Sequence, residues 1–230
     1  MIDVLHTVDQ GVASHIIANV LWIFAVMRGV FGGVTQADRV RKMHEKIQQW
    51  YKDTKERTKV QGELTVQRVR TQGGWPKLKA KAAATRHLAK YALHLVQQYG
   101  NKSTEDRRIL GVCQHLVRFY TIMEEESRFL SSAAKAEIPK LGQQLVALYT
   151  ALAIEAKEQG LKLWKLQPKL HLFFALVRVA GSQQGQSNIF WTYADEDLAG
   201  LMAEVAEACH SVTMAPSCLF KWLWIAFVNE

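Results

Sequence analysis

Met1-Ile2-Asp3-Val4-Leu5-His6-Thr7-Val8-Asp9-Gln10-Gly11-Val12 leads directly into an almost unbroken apolar run that ends at Met27. Val12–Met27 reads as a nearly all-apolar helix, closed by Arg28-Gly29 and then Gly32-Gly33. The run from Gly11 is about as long as the shortest membrane spans. It contains His15 and Asn19, follows Asp9 and has no basic region ahead of it, so a buried core helix fits better and no membrane partner is expected. A helix apolar all round needs other helices to cover it, which sets the expectation of a mainly α bundle.

Working outward, the rest supports that class. The 230 residues hold only 4 prolines and 14 glycines, which favours long helices over many short strands. Residues 36–56 form a basic amphipathic helix on Val40, Met43, Ile47, Trp50 and Tyr51. Residues 57–75 are open: Thr65 can cap a short helix from Val66 to Thr71, or Leu64 and Val66 can alternate in a strand. Trp75-Pro76-Lys77 is expected to open a helix that runs to Tyr99 and stops at Gly100-Asn101. Ser103-Thr104-Glu105-Asp106 caps the next one. It ends at Glu124-Glu125-Glu126, whose side chains point about 100° apart and cannot converge on a metal. A helix over 133–159 is expected to be interrupted at Gly142 and closed at Gly160. Pro168 begins an apolar helix containing His171, and helices over 194–209 and 216–228 complete the chain.

Hydrophobic content of 49% and charged content of 22% argue against disorder. Cys113, Cys209 and Cys218 are too scattered for a disulfide framework, so a reducing, intracellular setting is expected. Cys209, His210 and Cys218 lack a fourth zinc ligand at a usual spacing and read as buried thiols. Charge is uneven: sixteen basic and four acidic residues lie between Arg39 and Lys102, so that stretch carries +12 and the remainder −4, against +8 overall. Such asymmetry suggests a polyanionic partner, above all nucleic acid; the competing reading is a solvated basic helix face. No phosphate-cradling glycine loop or hydrolase triad is visible, and no small-molecule substrate is implied.

An acid ahead of a helix start is where metal-dependent phosphoryl-transfer enzymes keep a ligand, although Asp3 and His6 can equally be a cap and a packed side chain. Two blocks together resemble the catalytic region of CACTA-type DNA transposases and their relatives with a ribonuclease-H-like core. The first is Asp3-Val4-Leu5-His6 before the long apolar helix. The second is Trp191-Thr192-Tyr193-Ala194-Asp195-Glu196, with Leu170-His171-Leu172 shortly before it. The resemblance implies an incomplete ribonuclease-H-like α/β core carrying a large helical insertion. Residues 1–29 would hold the second-acid motif and core helix, 30–165 the basic insertion, and 166–230 the last-acid motif and C-terminal helices, all in one compact unit.

What the resemblance implies for chemistry is DNA phosphodiester cleavage and strand transfer with two Mg²⁺ or Mn²⁺ ions roughly 3.5–4 Å apart. Asp3 and Glu196 would be the metal ligands, and His6 would orient Asp3 or touch the scissile phosphate, if it is not a packed core histidine. Arg39, Arg41, Lys42, Lys77, Lys79, Lys81 and Arg86 would hold DNA phosphates. The family usually has Pro-Phe where this chain has Ala194-Asp195, so Glu196 is assigned over Asp195 from its spacing to Trp191 and Tyr193. The family's first acid has no counterpart here. The chain therefore reads as a fragment or inactive remnant of a transposase, nuclear in a eukaryote, and paired with a second copy or a missing N-terminal catalytic half. The alternative is a non-catalytic helical nucleic-acid-binding or scaffold protein.

Overall fold

A computed structural model describes residues 4–126 and 130–182. The chain divides into a unit over Met1–Phe190 and a second over Trp191–Glu230, and every described residue belongs to the first.

The apolar N-terminal run is the axle. Helix α1 spans Leu5–Met27, well before the expected start at residue 12, and Val4 already has helical backbone angles. Residues 4–11, read from sequence as lying ahead of the helix, therefore belong to helical backbone. Its length and composition would suffice to cross a membrane, yet 89% of its most apolar window is buried within the protein. The winding is wide, with i→i+5 bonding over Leu5–Ala13 and Trp22–Met27, and ordinary α geometry over Ser14–Leu21. Donors from outside the main-chain ladder support the altered turns. Lys169 Nζ donates to the His6 carbonyl (2.8 Å), the Ser14 hydroxyl to Gly11 (2.8 Å), and the Leu78 N–H to Ser14 (2.9 Å). Gly11 has no side chain where Lys169 crosses, and a Cβ there would sit 2.8 Å from Lys169 Cδ.

The other helices are α2 (Gln36–Asp53), the single turn α3 (Val66–Val69), α4 (Ala82–Tyr99), α5 (Thr104–Glu125), α6 (Ser132–Glu158) and α7 (Pro168–Ala180). Helices α4 to α7 pack in succession, and α4 and α7 both lie against α1, so the ring closes around it; α2 covers its C-terminal end. All three sequence segments, 1–29, 30–165 and the described part of 166–230, contribute to this one core. Two caps form as their residue types require. Thr35 and Asp38 make a reciprocal capping box at α2, and Ser103 Oγ accepts from the Asp106 N–H at α5.

Two expectations are corrected. The helix expected from Trp75 begins only at Ala82. Residues 75–81 run extended instead: the Lys77, Leu78 and Lys79 N–H groups donate to Val69, Ser14 and Arg68, and Arg70 bridges to Pro76. Once those amides serve neighbouring segments, they cannot start a helix. Helix α6 also passes unbroken through Gly142, which is the close crossing point with α7. A Cβ there would lie 2.9 Å from Val177 Cβ. Gly160, at φ +69°, closes α6 as expected. No strand is present among the described residues, so the helical bundle is established and a ribonuclease-H-like core is not.

Candidate nucleic-acid interface

Of the implied catalytic set, Asp3 and Glu196 lie outside the described residues, as do Trp191, Tyr193, Asp195 and the cysteines at 209 and 218. His6 is described. It is exposed in a turn where Val4, Leu5, Thr7, Val8 and Asp9 are all buried, so it is not a packed core histidine. Among the described residues no group of three or more His, Cys, Asp or Glu could hold a metal ion. His171 on α7 is exposed as well.

The acid on α1 that the structure does describe is Asp9, fully buried one turn after His6. The Tyr120 hydroxyl of α5 donates to it at 2.5 Å. Burial, and then the Asp9 charge, push the Tyr120 phenol well above its ordinary pKa. An acid at a core phase of an apolar helix was the available signal. Charges at the glutamates ending α5 diverge, as side-chain directions require: Glu124 faces Arg86 and Lys90, Glu125 faces Arg118, and Glu126 accepts from Ser131. Cys113 is buried, and burial pushes its thiol up to about 12, so it is an inert core residue.

The seven basic residues expected to bind phosphate fall into two groups. Arg39 is spent internally, donating to the Val26 and Gly33 carbonyls at the end of α1. Arg86 is half-buried between α4 and α5, with Nε 3.8 Å from Glu124. Arg41 is exposed but lies against Asp38 and Glu45, and Lys42 is half-buried on the same helix.

Lys77, Lys79 and Lys81 behave differently. They alternate along the extended segment with buried Leu78 between the first two, and extended backbone projects every second residue to one side. All three are exposed and none forms an ion pair with a described residue. Lys81 also lines a cleft of about 490 Å³ with Arg57, Lys59, Arg68, Thr58, Gln61 and the first turn of α4. No acid lines that cleft. Arg68 anchors it, donating to the carbonyls of Gln61, Glu63 and Lys79. The first turn of α4 has no side-chain cap, so its N–H groups add to the positive potential. The sequence carries no signal that sets Arg57, Lys59 and Arg68 apart, because their role depends on the 57–81 segment folding back on itself.

No protein-family model, curated protein or solved structure matches this chain.

Proposed function

We propose that this chain binds DNA through the basic edge of residues 57–81, as a transposase-like protein without its own complete catalytic set. The observation that carries this reading is the row Lys77, Lys79 and Lys81, of which Lys81 enters a cleft with Arg57 and Lys59; all five are exposed, and no acid lines that cleft. Cations so placed release counterions from a phosphate backbone without reading base sequence. The resemblance at Asp3-x-x-His6 and Trp191-x-Tyr193-x-x-Glu196 supplies the choice of DNA and the nuclear setting. Any divalent-metal chemistry would rest on Asp3 and Glu196 with a first acid from elsewhere, and exposed His6 is compatible with a place beside it.

The test is binding of a labelled duplex across a salt series. Replacing Lys77, Lys79 and Lys81 together with Gln should flatten the slope of log affinity against log salt by about 3, at roughly 0.9 for each phosphate no longer neutralised. Unchanged slope and affinity would reject this edge as the interface, and no binding by the wild-type chain would reject the reading itself.

A further inference from the structure

A second cationic feature starts from the residue paired with Pro76, next to the lysine row, where α1 meets the turn after α3. Arg70 lays its guanidinium over the buried Trp22 ring, with Cζ 4.8 Å from the ring centroid. Its Nε donates to the Gly74 carbonyl at 2.9 Å, and the Thr71–Gly74 turn is itself closed by the Gly74 N–H on Thr71. The side chain is thus held by a stack on one face and a bond at one edge. Its two terminal nitrogens, the fork that matches phosphate or carboxylate oxygens, make no hydrogen bond to a described residue.

Cavities of about 550 Å³ each flank the stack and share Trp22, Gln36 and Arg70. That size falls in the range of small-ligand sites. The wall of one includes Gln67, Thr71 and Gln72 beside Val66; that of the other includes Arg39, Lys162 and apolar residues from the end of α1 and from the α6–α7 loop. No Asp or Glu lines either. Lys162 donates to the Gly73 carbonyl at 3.0 Å, and Arg39 to carbonyls, so three cations gather here without a carboxylate. A half-buried guanidinium without a counter-ion is disfavoured, and burial is the sole influence lowering the pKa of Arg70. The glutamine amides offer both donors and acceptors, which suits base edges of any identity.

We propose that the Arg70–Trp22 groove is a nucleotide site in which Arg70 takes the phosphate and the glutamine wall takes the base. The occupant is a single strand, because a duplex is too wide for a cavity of this size, and the inference rests on the DNA-binding reading above. Free nucleotide and strand share this chemistry, so both are tested.

The experiment follows fluorescence anisotropy of a labelled single-stranded oligonucleotide and of the matching duplex, with an unlabelled nucleoside monophosphate as competitor. Arg70→Gln should weaken single-strand binding roughly ten- to a hundredfold, the scale of hydrogen bonds to a charged group, and leave the duplex nearly unchanged. Arg70→Lys keeps the charge but loses fork and stack, and should recover only part. Gln72→Glu places an acid at the exposed rim, leaves Arg70 intact, and should weaken the single strand too; it decides the matter if the Arg70 variants do not fold. Displacement of the strand by monophosphate from the wild type alone assigns the site to free nucleotides as well; failure to displace restricts it to strands. Wild-type affinity in both Arg70→Gln and Gln72→Glu, with the lysine-row variant weakened, overturns the groove and leaves the lysine edge standing. No binding of any DNA by the wild type overturns both.

Discussion

Asn19 is a polar side chain that ties two elements of the core together, and its replacement by Ala tests the packing described above. It is fully buried on α1; its Oδ1 accepts the Trp164 N–H at 2.9 Å and its Nδ2 donates to the His15 carbonyl at 2.7 Å. Trp164 sits in the α6–α7 loop at φ +54°, a left-handed conformation that a non-glycine residue holds only with support. The His15 carbonyl lies within a helical turn and loses little. The Trp164 N–H would be left buried and unpaired, at about 1–3 kcal/mol, and the vacated volume adds about 1 kcal/mol. Asn19→Ala should therefore cost about 2–4 kcal/mol, lowering a urea midpoint by roughly 1 M at an m-value near 2–3 kcal/mol/M. Asn19→Asp provides the contrast. Protonated Asp can mimic both bonds, whereas buried carboxylate cannot, so its folded pKa is raised and its deficit against wild type should shrink as pH falls towards about 4. Denaturation followed by circular dichroism reads both. An Ala variant within about 0.5 kcal/mol of wild type, the ordinary scatter of a neutral substitution, or an Asp deficit indifferent to pH, would refute the reasoning.

Arg28 grips Asp106 through two bonds of 2.9 and 2.6 Å and reaches Glu105, and Asp106 is buried. Arg28→Ala should cost about 2–4 kcal/mol by stranding that acid, short of the fully buried limit, and a thermal melt checks it. Burial raises the Asp106 pKa, but the Arg28 and Asn101 bonds outweigh it and the net shift is downward, so this contribution holds above the ordinary carboxylate range and is lost only as acid reaches the lowered value. His15 is lowered by burial to about 4 from 6.5. It should subtract stability as pH falls from about 6.5 towards 4, by at most about 3 kcal/mol, and an NMR titration giving a value near 6.5 would contradict its placement. Gly142→Ala drives a methyl into Val177 and should cost about 1–3 kcal/mol, read from the same melts. Incubated with labelled DNA and Mg²⁺ or Mn²⁺, the chain alone should show little or no nicking; metal-dependent nicking abolished by Glu196→Gln would prove it a complete nuclease.

The helices were legible where chemistry is local. Ser103-Thr104-Glu105-Asp106 and Pro168 announce two helix starts because helix-start signals act within one turn, and the Thr35–Asp38 box at α2 is a signal of the same local kind that the apolar pattern alone did not use. Pro76 and Gly142 misled for the opposite reason: one belongs to a segment whose amides are taken by partners far along the chain, the other to a crossing visible only once α7 is in place. Polar His6, Asp9 and Gln10 hid the first turns of α1, because the burial of Asp9 depends on Tyr120, over a hundred residues later. The cations were legible as a total and not as individuals. In a string of letters Arg39 and Arg86 look like Lys77 and Lys79, and only the fold separates those that hold the bundle together from those that face water. Arg70 lay in the stretch left open between helix and strand, so its stack on Trp22 had no sequence signal.

The axle is also the part of this unit that the ribosome delivers ahead of its neighbours. About 150 residues separate the end of α1 from the end of α7, which at synthesis rates of 5–20 residues per second is roughly 10–30 s. Until α7 arrives to join α2 and α4 against it, a greasy rod fit for a bilayer is only partly sheltered, and a chaperone or an insertion machine can compete for it. Its buried Asp9, His15 and Asn19 then have a second use, because each makes the lipid a poorer refuge than the bundle still being made.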